Sequence, residues 1–180
     1  MTAQIHDKIL IDGDKFSIVG ITGGELFTPH SLGILTVAVV TSCWRGYVCQ
    51  YKISQGRLVL DELQISFASY TEDGKQIVGA QTSPPINGVS PEPADKKKYP
   101  SFGDVYENLN LEIRLTGSIL AGDGFIQKLY VHMGFQPAWK YENVLELLFE
   151  DGKLQAMRDV SEEMKKIREV MSKQEPNLES

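Results

Sequence analysis

The sequence has few of the residues that metal or redox chemistry needs. It contains two cysteines and three histidines in 180 residues. Cys43 and Cys49 are spaced too widely for a redox pair or a structural zinc site, and no second Cys/His pair completes one. His6, His30 and His132 are scattered, and none has a second ligand close by in the sequence. We therefore predict no metal site, no cofactor and no catalytic residue.

Long apolar runs are also missing. The apolar segment 33–40 is much shorter than the ~20 residues that cross a bilayer. The first fifteen residues contain acidic side chains and lack the apolar stretch of a secretory signal. The sequence thus predicts a soluble cytoplasmic protein with no membrane contact, and in that compartment cysteines normally stay reduced.

Positive charge is scarce. The chain has 18 lysines and arginines and 24 acidic residues, which gives a formal net charge of −6. Proteins that track a phosphate backbone concentrate positive charge, so the composition argues against a nucleic-acid partner. An acidic surface is compatible with neutralising a basic protein partner, although charge alone does not single out that role.

Turn signals are abundant, and they indicate β-structure. A glycine-centred turn between apolar segments occurs in ILIDGDKFSIV, YKISQGRLVL, SYTEDGKQIV and LLFEDGKLQAM. Such turns allow the positive φ angles of tight hairpins. Helical periodicity is nearly absent before residue 160. We predict a single mainly β domain over residues 1–180, an antiparallel sandwich or open barrel with a C-terminal amphipathic α-helix.

Alternating apolar and polar residues predict three strands. They are LNLEIRLT (109–116), FIQKLYVHMGF (125–135) and the stretch 62–67. The predicted core comprises Val40, Trp44, Cys49, Tyr51, Ile53, Leu63, Ile65, Phe67, Leu111, Ile113, Leu115, Val131, Leu145, Leu147 and Phe149.

Two further segments have a distinct character. Residues 84–104 are rich in proline, which removes backbone donors, so we predict a surface loop there rather than a central strand. Residues 160–174 carry apolar side chains at helical spacing. This helix is expected to dock on the protein's own sheet, and the alternative is a dimer helix or a surface for a partner.

The segment TSCWRGYVCQY (41–51) holds both cysteines, and strand geometry separates them. On an unbroken strand the two thiols would lie about 20 Å apart, too far for a disulfide. Gly46 predicts a break, either a two-residue turn at Arg45-Gly46 or a bulge. Either break moves Cys43 to the other face from Cys49. We therefore predict reduced, structural cysteines and no disulfide.

Arg45 has two interpretations. On an unbroken strand it would enter the core and require a buried carboxylate partner. At a turn or bulge it would lie beside Trp44 and Tyr47, either packed over these aromatics or presented to a ligand carboxylate or phosphate.

The predicted function is non-catalytic binding of an unknown protein or small molecule by a monomer or homodimer. The alternative is a small-molecule site with hydrolase or isomerase chemistry around Arg45, Tyr130 and His132. The residues predicted to bind a ligand or partner are Trp44, Arg45, Tyr47, Tyr130, His132 and Trp139.

Overall fold

A computed structural model describes residues 2–70, 72–78 and 83–174. In chain order the strands are Lys8–Ile11 (β1), Asp14–Thr22 (β2), Tyr47–Ser54 (β3), Arg57–Ile65 (β4), Ala68–Tyr70 (β5), Gln76–Val78 (β6), Glu92–Pro93 (β7), Asp104–Tyr106 (β8), Leu111–Glu112 (β9), Gly117–Phe125 (β10), Tyr141–Glu150 (β11) and Lys153–Asp159 (β12). Three 3₁₀ turns cover Pro29–Leu32, Gln127–Leu129 and Ala138–Lys140, and one α-helix, α1, covers Ser161–Gln174.

Ten of these strands form one mixed sheet in the order β12-β11-β10-β2-β1-β3-β4-β8-β7, with β9 also paired to β4. β12 meets β4 at a single residue pair, Lys153 with Arg57, and the sheet is not a closed barrel. β5 and β6 form a separate two-stranded sheet. The predicted mainly β fold with a C-terminal helix is confirmed. Pairing is mostly antiparallel, but β1 and β3 run parallel.

All four predicted hairpins are present. They join β1 to β2, β3 to β4, β5 to β6 and β11 to β12. In three of them the turn residue before the glycine also has a positive φ: 51° at Asp12, 50° at Gln55 and 45° at Asp151. These values match the tight turns whose twist suits paired strands.

The largest core lies inside the curved sheet, where residues such as Tyr51, Leu60, Ile119 and Phe149 are almost completely buried. A second cluster lies outside the sheet, below α1, and contains Tyr141, Val144 and Val160. Most predicted core residues are buried or partly buried. Trp44 and Val131 are exposed, however, so their assignment to the core was wrong.

Two predicted strands are largely irregular. The stretch 125–135 contains only the end of β10, a 3₁₀ turn and a loop, so the strand predicted there was wrong. The stretch 109–116 keeps its alternating burial, with Leu109 and Leu115 buried, but only Leu111–Glu112 pairs as a strand. Asn108 and Asn110 have positive φ angles, which interrupt the extended backbone.

The proline-rich segment is packed more closely than a loop that leaves the body. Ile86, Tyr99 and Phe102 are buried, and Glu92–Pro93 forms β7 at the edge of the sheet. Proline is tolerated there because an edge strand leaves half its backbone donors unpaired.

α1 starts within one residue of the predicted boundary and docks on its own sheet. Val160 is buried and Met164 partly buried, whereas Ile167 and Met171 are exposed. Arg168 fixes the next turn of the helix: its Nε donates to the Trp139 carbonyl at 2.8 Å and its Nη2 to the Tyr141 carbonyl at 2.6 Å.

Segment 34–46 folds back on itself at Gly46, and β3 begins only at Tyr47. The Thr36 hydroxyl donates to the Arg45 carbonyl at 2.6 Å. Gly46 has φ +73°, and a Cβ there would lie 2.5 Å from the Val37 carbonyl oxygen. Neither the two-residue hairpin nor the bulge predicted at this position forms, because the preceding chain is a packed loop.

Replacing Gly46 with alanine should therefore destabilise the fold more than the same change at Gly56. Gly56 has a similar φ of +74°, but a Cβ there would meet nothing within 4 Å. We expect Gly56→Ala to cost about 1–2 kcal/mol from the left-handed backbone. Gly46→Ala should cost about 1–3 kcal/mol more because its methyl group must displace backbone. Urea unfolding of both variants measures the difference, and equal losses would refute the close approach.

Candidate functional site

An ion pair between Asp7 and Arg45 lies at the start of the parallel strands β1 and β3. Arg45 Nη1 donates to Asp7 Oδ2 and Nη2 to Oδ1, each at 2.9 Å. The Cys49 amide donates to the same Oδ1 at 2.8 Å. The parallel register of β1 and β3 places Lys8 opposite Gln50, so Asp7 lies beside Cys49, and the Arg45 side chain reaches it from the residues before β3. The pair is partly buried, with side-chain exposures of 29% for Arg45 and 10% for Asp7.

Two aromatic rings pack on the guanidinium group. Its central carbon lies 4.8 Å from the centre of the Tyr47 ring and 5.4 Å from that of Phe135. Burial alone would lower the Arg45 pKa, but the hydrogen bonds and charge of Asp7 hold that pKa above its ordinary value. Arg45 therefore stays charged at physiological pH, and its guanidinium group packs against both the Tyr47 ring and the Phe135 ring.

His6 joins β2 to the loop that precedes β11. Its Nδ1 lies 2.8 Å from the Ile18 carbonyl oxygen, and its Nε2 lies 3.1 Å from the Gln136 amide nitrogen. Because a carbonyl only accepts and an amide N–H only donates, His6 carries its proton on Nδ1 and accepts at Nε2. Burial, the largest influence, lowers the His6 pKa. The neutral ring also packs on Phe135, with 5.1 Å between ring centres.

The Gln136 side chain forms hydrogen bonds with the backbone of the same loop. Its side-chain nitrogen donates to the Val131 carbonyl at 2.9 Å, and the Val131 amide lies 3.4 Å from its side-chain oxygen. Lys140 Nζ donates to the same oxygen at 3.3 Å. The side chains of Gln136 and His6 thus fix the two ends of the stretch 131–136.

Large apolar side chains project from this stretch and its surroundings. We call them the apolar rim: Trp44, Tyr130, Val131, Met133, Phe135 and Met171. Each is between 37% and 57% exposed. Gln4 links the segment of Trp44 to that of Met133 and Phe135. Its side-chain oxygen accepts from the Trp44 backbone amide at 2.8 Å, and its backbone amide donates to the Gly134 carbonyl at 2.8 Å. Tyr130, Val131 and Met171 line one shared depression.

A second depression, of about 240 Å³, lies beside the ion pair. It is lined by His6, Asp7, Arg45 and Phe135 and by residues 18–21 of β2. Because Asp7 compensates Arg45 and His6 is neutral, the wall carries no net charge. Phe135 belongs both to this depression and to the apolar rim.

The structure divides the predicted site residues into two groups. Arg45 and Tyr47 pack together at the ion pair, and Trp44 is exposed beside them. Tyr130 and Trp139 line the depression near α1. His132 stacks edge-on against Tyr130, with 4.9 Å between ring centres. Arg45 and Tyr130 line different depressions, and His132 lines neither of the two, so these three side chains do not converge on one cavity.

Both thiols are free and buried, in different packing clusters. Cys43 Sγ donates to the Tyr47 carbonyl at 3.3 Å. Burial raises the pKa of Cys43, and it raises that of Cys49 well above its ordinary value. Both side chains are held as protonated thiols that fill space.

Sequence reasoning missed His6, Asp7, Phe135 and Gln136. Phe135 was assigned to a strand face, and His6 was noted only as an isolated histidine. One signal pointed towards Asp7: an arginine within an apolar segment requires a carboxylate. Nothing local to Asp7 or Gln136 marks either residue, because their partners lie 38 and 130 residues away.

Comparison with protein-family models, with curated proteins and with solved structures found no match. Within residues 2–70, 72–78 and 83–174 there is no group of three or more His, Cys, Asp or Glu side chains that could hold a metal ion. No helix in the described part of the chain is long and apolar enough to cross a membrane.

Asp7→Asn should destabilise the protein through the unpaired Arg45. Asparagine retains an oxygen for the Cys49 amide, so the loss is mainly that of the compensating charge. We expect a cost of about 2–3 kcal/mol, discounted for the partial exposure of Arg45. In contrast, Glu146→Gln breaks the exposed pair with Arg158 and should cost at most about 1 kcal/mol. Chemical denaturation compares the two, and equal costs would contradict the role given to Asp7.

Stability should fall as the pH drops below about 6.5, the ordinary histidine pKa. The pKa of His6 is lower in the folded protein than in the unfolded chain, so the unfolded chain binds more protons in this range. The stabilisation from neutral His6 is complete above the pKa that His6 has in the unfolded chain, and it declines as the pH falls towards the pKa that His6 has in the folded protein. His6→Asn should remove this part of the pH dependence of the free energy of unfolding. Urea unfolding between pH 7.5 and 5.5, about one unit on either side of the ordinary histidine pKa, measures it.

His132→Asn is the matched control, because His132 is exposed. It should keep the pH dependence of the parent protein. An unchanged pH dependence in His6→Asn would show that protonation of other groups causes the effect.

Proposed function

We propose that this protein is a non-catalytic binding protein that recognises another protein through the apolar rim. The supporting observation is the grouping of Trp44, Tyr130, Val131, Met133, Phe135 and Met171 on connected segments. Contiguous exposed apolar patches mark interaction sites, and aromatic residues and methionine are enriched in interfaces. The proposal places this interaction in the cytoplasm, with the free protein acidic overall.

Fixed geometry supports a recognition role for the rim. Its central stretch is held at one end by Gln136 and at Phe135 by contacts with His6 and Arg45. A surface that is already ordered loses less conformational entropy when a partner binds. The exposed apolar side chains of the rim are therefore carried by a backbone whose position is fixed.

The polar groups near the rim favour binding over acid–base catalysis. Both ring nitrogens of His6 have partners, and both carboxylate oxygens of Asp7 accept hydrogen bonds. A general base needs an accessible lone pair close to the proton that it removes. These two residues would have to break structural bonds to provide one.

Small-molecule binding is the second candidate, and the depression beside Arg45 is the observation that favours it. Its volume of about 240 Å³ is slightly below the ~300–1,000 Å³ of usual ligand pockets. An apolar wall next to a guanidinium edge suits a small, mainly apolar molecule with one acceptor atom. The six exposed apolar side chains of the rim make a protein partner the better supported proposal.

Capture experiments with the tagged full chain test the role of the rim. Wild-type protein should retain a stoichiometric protein partner from its own cells, and Met133→Asp should lose it because a charge enters the apolar contact. Met157→Asp is the matched control, since Met157 is similarly exposed on β12, outside the rim. Failure to capture a partner under mild conditions, or equal capture by both variants, would refute this proposal.

A further inference from the structure

The last four residues of β2 have a strand partner on one side at most. β10 pairs with Gly20, Ile21 and Thr22, the last opposite Ser118, and Val19 is bulged out of that pairing. On the other side, β1 pairs with β2 from Ile11 to Lys8, and one more bond joins the Ile18 amide to the Asp7 carbonyl.

The chain before Asp7 then leaves β2. The Ile5 amide donates to the Ser42 carbonyl and the Gln4 amide to the Gly134 carbonyl, both at 2.8 Å. Within the described part of the chain, no strand pairs with Val19–Thr22 on the side away from β10. We call this stretch the free edge.

Proteins commonly protect exposed edges with proline, charged side chains or β-bulges. The free edge, Val-Gly-Ile-Thr, has no proline and no charged side chain, and its bulge is confined to its first residue, Val19. In an extended strand, alternate residues direct their amide and carbonyl groups to each side, and an incoming strand can pair with them. Ile21 and Thr22 are exposed, so this edge is accessible.

The depression beside Arg45 adjoins the free edge. Val19, Gly20 and Ile21 line it, and so does Phe135. An extended peptide paired with β2 would direct alternate side chains to either face of the sheet. One of these would enter the depression, whose uncharged wall suits an apolar side chain.

We propose that the protein partner binds by strand addition: an extended segment of the partner pairs with Val19–Thr22 and inserts one apolar side chain against Phe135. This inference rests on the proposed function, because Phe135 makes the free edge continuous with the apolar rim. The rim supplies contact area, and the edge supplies direction and register.

The size of the edge favours a segment of another protein over a second copy of this chain. Four residues of strand span about 13 Å. A stable protein interface covers about 800 Å² on each partner, much more than two such short edges can bury. A single extended segment fits the edge, and the body of the same partner can cover the rim.

The test uses short random linear peptides displayed on phage and selected on the full chain. Selected peptides should slow hydrogen exchange at Val19–Thr22 of the wild-type protein, because their backbone bonds protect those amides. This measurement needs no variant. Ile21→Lys should weaken binding about tenfold or more by placing a charge on the edge. Met157→Lys, a change at a similarly exposed position on β12, should bind as the wild type does.

Three results would overturn strand addition. The first is a selection that yields no binding peptide, and the second is peptides that leave exchange at Val19–Thr22 unchanged. The third is edge protection that rises with protein concentration alongside a dimer in light scattering, which would identify a second copy as the occupant. Peptides that are sensitive to Met133→Asp but do not protect the edge would reject strand addition and leave the proposed role of the rim intact. Failure of that role is detected separately, by the capture experiment.

Discussion

The Asp7–Arg45 ion pair is the interaction on which the rest of the site depends. Asp7 sits before β1 and Arg45 before β3, and the carboxylate also accepts from the Cys49 amide. This arrangement anchors the folded-back loop 34–46 to the start of the parallel pair. It also provides the charged plane on which Phe135 packs. Because the two charges compensate each other, the surroundings can remain apolar without leaving a buried charge unpaired.

His6 and Gln136 extend this order to a stretch that lies 130 residues after His6 in the chain. His6 connects the Ile18 carbonyl to the Gln136 amide, and the Gln136 side chain ties down Val131. Two neutral polar residues therefore hold a stretch with almost no regular secondary structure. Their hydrogen bonds explain how exposed apolar side chains stay in defined places on the surface.

Local signals in the sequence predicted local structure well. The Asp-Gly and Gln-Gly turns gave correct hairpins, since their positive φ angles depend on the turn residues themselves. Alternation was less reliable. The stretch 125–135 alternates like a strand, yet its polar contacts run through Gln136 and His6, which no local pattern reveals. Arg45 does have a carboxylate partner, Asp7, although that partner was predicted only for an unbroken strand through Arg45, which does not form. The identity of Asp7 required the parallel register of β1 and β3.

The pairing of β2 with β10 has a consequence for folding. Thr22 and Ser118 share a hydrogen bond although 96 residues separate them. Closing so long a loop before its contacts form costs entropy and makes folding slow. During synthesis, the β1–β2 hairpin leaves the ribosome long before β10 exists, so both edges of the end of β2 are then open. Until β10 has been synthesised, the end of β2 lacks its native strand partner, so this is the part of the hairpin most open to pairing with a wrong strand.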